Sequence, residues 1–311
     1  MSVHEAEVAF LQLFEQLEIQ RKPPKNRFPL LKLPRVVLLE CIEHLDVLEI
    51  IIFSLLSKRA KSIVKRIHWN LLEIHLISTE QGPQIWLKLP THSRVEWIIQ
   101  YNKEKESSVY PVFESRVEGP NAFYHLFLYD NGIEDVKQMV EHICEVFHSP
   151  ICGIRIFEES LIEWIIKFQP RIQYVSIDDK VIASSKKLDH ALKNLKVTEH
   201  FHLGIVAIDE TFQIAEPIPF SALSIDNSYW ITLPSILNGV NSIIRLYDSK
   251  LTPKDINTIL KAWQLGFKLR NLEYLEINTT PLPGFDGFTR ESHKDLNLTE
   301  SDRSDSRPST V

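Results

Sequence analysis

His142, Cys144, His148 and Cys152 have the residue types and the rough spacing of a metal site. Zinc prefers such ligands, yet on a continuous helix His142 and Cys144 point about 200° apart, and no C-x-x-C pair anchors the set. Cys144 also falls on the apolar stripe of Met139, Val140, Ile143 and Phe147, which reads as core. His200 and His202, two apart on a strand, share one face, but no third ligand is evident. Glu158-Glu159 and Asp178-Asp179 are adjacent carboxylates. Acid–base catalysis needs two carboxylates held on either side of a reacting bond, so helix starts and turns are the expected roles. The run Lys58, Arg59, Lys61, Lys65 and Arg66 suits the C-terminal end of a solvated helix. The chain has nine Gly and contains no GxSxG, GxGxxG or Walker loop. These residues point to no catalytic set, no metal and no cofactor.

Composition supports that reading. The 311 residues are 44% hydrophobic and 24% charged, as in a globular protein. A net charge of −6 argues against broad binding to nucleic acid or anionic membrane. Three Cys offer no disulfide framework, and charges interrupt every long apolar run. The expectation is an intracellular protein, cytoplasmic or nuclear, with no signal peptide and no membrane span.

The elements that would position such residues follow from the hydrophobic pattern. Residues 5–20 read as an amphipathic helix ending in a basic Pro linker, so residues 1–26 form one segment. Residues 27–68 should form two helices that start at Leu33-Pro34 and Asp46. Both are apolar over most of their circumference, more than a unit of that size can bury by itself. Residues 69–120 form a strand-rich connector with candidate strands at 71–77, 85–89 and 95–101, and 102–120 reads as a surface loop. From residue 121 to 280, apolar-x-apolar pairs recur roughly every 20 to 30 residues, with helical patterns at 134–147, 160–168, 188–192 and 254–265. The fold class expected is α+β, a small helical unit followed by an irregular leucine-rich-repeat-like α/β solenoid. Residues 281–311 are rich in Ser, Asp and Pro, and disorder is expected there.

The helical segment resembles the F-box. The matching residues are Leu33-Pro34, then Val37, Leu38, Cys41, Ile42 and Leu45 in helical spacing, an Asp46 turn, and Leu56-Ser57-Lys58-Arg59. Arg35-Val36 stands where an acidic residue often follows Leu-Pro, and Ala60 where a Trp is common. The wording is most similar to the nematode set of F-box proteins, and residues 185–277 resemble their F-box-associated domain of the second type. The resemblance implies a substrate-recognition subunit of an SCF-type ubiquitin ligase. Its F-box would bind a Skp-type adaptor and, through it, a cullin, while the C-terminal domain captures an unknown protein target. The implied adaptor contacts are Leu33, Pro34, Val37, Leu38, Cys41, Ile42, Leu45 and Leu48. For the target, the ends of the strands and the loops behind them are the expected surface: Glu158, Asp178, Asp179, Glu199, Asp226, Asn227, Asp248 and Asn278. The alternative is an interaction module outside any ligase, whose helical segment caps its own solenoid.

Overall fold

A computed structural model describes residues 32–103, 112–209 and 211–279. The helix expected at 5–20, the basic Pro linker and the tail 281–311 lie outside these residues. Two compact units meet in the chain after Ile156.

The first unit opens with three helices, α1 (Arg35–Glu43), α2 (Val47–Leu55) and α3 (Lys58–Val64). Pro34 precedes the first turn of α1, where a missing N–H costs nothing. Asp46 and Glu49 close a reciprocal capping box on α2, and the Ser57 hydroxyl accepts from the Ala60 N–H at the start of α3. Five strands and a helix follow: β1 (Glu73–Thr79), β2 (Gly82–Lys88), β3 (Val95–Asn102), β4 (Val112–Glu118), β5 (Asn121–Tyr129) and α4 (Ile133–Phe147). Strand β6 (Ile151–Ile156) ends the unit.

The strand order of this unit is β6-β1-β2-β3-β5-β4. β1–β2, β2–β3 and β4–β5 are antiparallel, whereas β1–β6 and β3–β5 are parallel. The mixed order corrects the expected repeat: β5 and β6, read as successive repeat strands, are separated by the β1–β2–β3 meander. Strand β4 corrects the reading of 102–120 as loop. Its cross-strand pairing with β5 supplies an order that a poorly periodic stretch does not reveal by itself. One face of the sheet, with Ile74, Leu76, Ile85, Leu87, Ile99 and Leu126, is buried, as are Val136, Val140, Ile143 and Phe147 of α4.

The second unit alternates regularly. It runs α5 (Ser160–Phe168), β7 (Ile172–Ile177), α6 (Ser185–Asn194), β8 (Val197–Leu203), β9 (Ala222–Ile225), α7 (Leu233–Leu237), β10 (Ile243–Ser249), α8 (Pro253–Gln264) and β11 (Tyr274–Thr279). Strands β7 to β11 lie side by side in chain order, and every pairing is parallel. Thr252 and Asp255 form a capping box on α8 with Pro253 in its first turn, as the Leu251-Thr252-Pro253 signal predicts. Val175, Ile177, Phe201, Leu203, Leu223, Ile225, Ile244 and Leu246 bury the alternate positions of the strands. The chain is thus mixed α/β behind a helical N-terminal portion.

The β1–β2 hairpin turns at Gly82, whose φ is +117° and whose added Cβ would strike the Tyr101 carbonyl. Gly82→Ala should therefore destabilise the protein by about 1–3 kcal/mol, read as a lower urea midpoint in chemical denaturation.

Candidate functional site

Helix α2 presents apolar residues around its circumference, and Val47, Leu48, Ile50, Ile51, Phe53 and Leu55 are all buried. The chain itself covers them. α3 packs on one side and α4 on another, and a row of polar contacts ties α4 to α2 through Ser54 and to α3 through Lys61 and Lys65. The Ser54 hydroxyl donates to the Ile51 carbonyl at 2.6 Å, so its oxygen accepts from the His142 Nε2–H, also at 2.6 Å. Glu145 takes Lys61 at 2.6 Å and Lys65 at 2.9 Å, and His148 Nε2 reaches the Lys65 carbonyl at 3.2 Å. His142, Glu145 and His148 follow one another at helical spacing. The His and Cys that resemble a zinc set are thus engaged otherwise: two of them fasten the helical unit. Cys144 is half-buried beside the core positions Val140, Ile143 and Phe147, and burial pushes its thiol up to about 12. Among the described residues, no group of three or more His, Cys, Asp or Glu could hold a metal ion.

What remains outside is a stripe on α1. Val36 is 72% and Val37 46% exposed, Pro34 and Cys41 are also exposed, and Leu33 and Leu45 are half-buried. Leu38, Ile42 and Leu48 correct the sequence-based contact set. They are at most 4% exposed, buried within the chain. Val36, absent from the expected contact set, is the most exposed apolar side chain of this stripe.

In the second unit, most of the residues expected to bind a target collect at one edge. Asp178 and Asp179 follow β7, Asp226 and Asn227 follow β9, Asp248 sits near the end of β10 and Asn278 near the end of β11. Glu158 precedes α5 and accepts from the Ser160 hydroxyl at 2.6 Å. Glu199 does not join them: β8 extends to Leu203, so Glu199 lies near its start. Asp179 is committed to the fold, accepting the Ile205 N–H at 2.7 Å.

Next to that edge runs a ladder that spacing alone does not reveal. Register places Ser176, His202 and Ser224 side by side on β7, β8 and β9. His202 Nε2–H donates to Asp226 at 3.2 Å, so its Nδ1 accepts from the Ser176 hydroxyl at 3.0 Å. His200 meets Ser224 at 3.1 Å. Burial, followed by the charges of His202 and Arg245, lowers the His200 pKa. Arg245 lies over the Tyr274 ring at 5.0 Å and 3.7 Å from Glu276. Ser, His and Asp in hydrogen-bond sequence have the members of a hydrolytic triad. However, Ser176 stands inside a strand, away from a strand-to-helix elbow whose free N–H groups would cradle an oxyanion. The arrangement suits recognition: Tyr, His and Arg on a rigid, half-exposed sheet face.

A scan against protein-family models finds the F-box domain at residues 30–71 and an F-box associated domain at residues 212–277. The chain therefore carries an F-box with an F-box-associated domain C-terminal to it. No curated protein and no solved structure matches the chain.

Burial holds the His142 pKa down to about 4, against 6.5 in the unfolded chain. Between those values the unfolded state binds more protons, so stability falls as pH drops from 6.5 toward 4. From pH 7 to pH 5 this group alone should remove about 2 kcal/mol. In urea titrations, His142→Gln should lose less stability than the parent over that interval by about the same amount.

Proposed function

We propose that this F-box chain is a non-catalytic substrate-recognition subunit of an SCF-type ubiquitin ligase. Its α1 stripe docks a Skp-type adaptor, which links it to a cullin, and its second unit captures a protein target. The observation that carries the reading is the apolar row of exposed Pro34, Val36, Val37 and Cys41, flanked by half-buried Leu33, along α1 and just before it, inside the F-box match; the other side of α1 is already buried. The mechanism is proximity: holding target and ubiquitin-loaded enzyme in one assembly raises the effective concentration of target lysines. The chain-ordered, repeat-like strands β7–β11 would offer the target an extended surface. It would run from the edge residues Asp178, Asp226, Asn227, Asp248 and Asn278 onto the His202–Arg245 face. Glu158, Asp179 and Glu199 have the weaker claim, being tied to the fold or set apart from this edge.

The fastening of α2 to α4 also favours a second reading, in which the helical segment is an integral cap and no ligase is joined. One variant separates the two. Val36→Asp with Val37→Asp changes only exposed positions, so the fold should survive. Capture of a purified Skp-type adaptor should weaken by about 3 kcal/mol or more. Undiminished capture by the folded variant, or no capture by the parent, leaves the cap reading standing. For the target surface, Tyr174→Ala with Asp226→Asn should lower ubiquitination of the target while adaptor capture stays unchanged. Tyr174 is half-exposed on the same face, so its loss should spare the core.

A further inference from the structure

The opposite face of the first unit's sheet, with Glu73, His75, Trp86, Lys88 and Glu96, carries a cavity of about 320 Å³ on β1, β2 and β3. It lies outside both matched segments. Its floor is set by register. Glu73, Lys88 and Glu96 form one cross-strand row, and His75 and Trp86 form the next. Gly153 of β6 stands opposite His75, and any Cβ there would strike the imidazole, so the glycine leaves His75 its place in the wall. Burial lowers the His75 pKa, which keeps the ring neutral at pH 7. The rim then holds two carboxylates against one ammonium.

Glu96 is the telling group. One oxygen takes Lys88 at 3.4 Å, a long contact. The other, Oε2, is buried and has no hydrogen-bond partner among the described residues. The next residue along its row is Phe123, which offers no donor, and Arg116 beyond it is held by Glu118 at 2.7 Å. A buried carboxylate oxygen without a donor is unfavourable, and a cation bound at the Glu96 carboxylate, which lines the cavity, would offset that. Trp86, half-buried with its Nε1–H already given to Gln84 at 2.7 Å, supplies an aromatic wall. Such a wall attracts an organic cation through its face and packs along a carbon stem. A metal ion fits less well, since Lys88 shares the rim and no metal-competent cluster occurs among the described residues.

We propose that this cavity receives the cationic side chain of an arginine or lysine in a bound protein segment, with the charged head on Glu96 and the stem along Trp86. It gives the chain a recognition site for basic segments on its first unit. The site requires a bound segment but no ligase, so it stands or falls apart from adaptor docking.

The probes are acetyl-Gly-Arg-Gly-amide, its lysine counterpart and its citrulline counterpart, which is close to arginine in shape and uncharged. They are titrated into the full chain while the Trp86 indole N–H signal is followed by NMR, the signal being assigned by its loss in Trp86→Phe. Saturable shifts with the arginine and lysine peptides, and none with citrulline, are expected. Glu96→Gln should weaken binding about tenfold, the loss of a charge-assisted hydrogen bond. Lys88→Met, which removes the competing ammonium, should tighten it. A merely structural role for Lys88 does not produce that gain. Equal binding of citrulline, absence of any shift, or tighter binding in folded Glu96→Gln would each overturn the proposal. Adaptor capture, measured on the same variants, should not change.

Discussion

Helix α2 has too much apolar surface for a three-helix unit to hide, and the architecture of the first unit answers that constraint. α3 covers one side of it and α4 another. The join to α4 is specific because it is polar where it reaches the edge: Ser54 on His142, two lysines on Glu145, and His148 on the Lys65 carbonyl. Glu145 is held down to about 2 by the hydrogen bonds from Lys61 and then Lys65, so it stays ionised and paired at any physiological pH. With α2 enclosed and fixed, α1 is left with one buried stripe and one open stripe. The apolar excess that first suggests a large docking face narrows to a row along a single helix.

The second unit solves a different problem with strand register. Parallel strands in chain order align residues of equal parity, so each face collects one class of side chain. The face with Phe201, Leu223 and Leu246 is buried, and Phe201 packs on Phe220 at 4.4 Å between ring centroids. The other collects Ser176, His202, Ser224, Arg245 and Glu276, which satisfy one another across strands. Groups held that way keep their rotamers, which lowers the entropy lost when a partner binds.

Periodicity carried much of this. Helix 160–168 was legible to the residue, and the helices at 134–147 and 254–265 within one residue at each end, because amphipathic stripes and the Thr252-Pro253 cap are local signals. Strand β4 was not, because residues 113–118 are exposed and carry no alternation of burial; pairing with β5 is what orders it. Glu199 was misplaced because β8 continues past the apolar pair that marks its start. The F-box was legible as a pattern of words, but which of its apolar residues face outward was not.

By itself, the sequence determined where the strongly periodic helices run, that the N-terminal helices carry an apolar surplus, and the F-box pattern within them. These are properties of neighbours within a turn or two, where propensity, capping and hydrophobic spacing act. Only the tertiary structure decided that Leu38, Ile42 and Leu48 are core while Val36 and Val37 are surface. Only it decided that His142 and His148 are fasteners, and that Ser176, His202 and Asp226 meet. Each of those outcomes depends on contacts between residues far apart in the chain, whose partners are chosen by strand register and helix packing and leave no mark in local spacing.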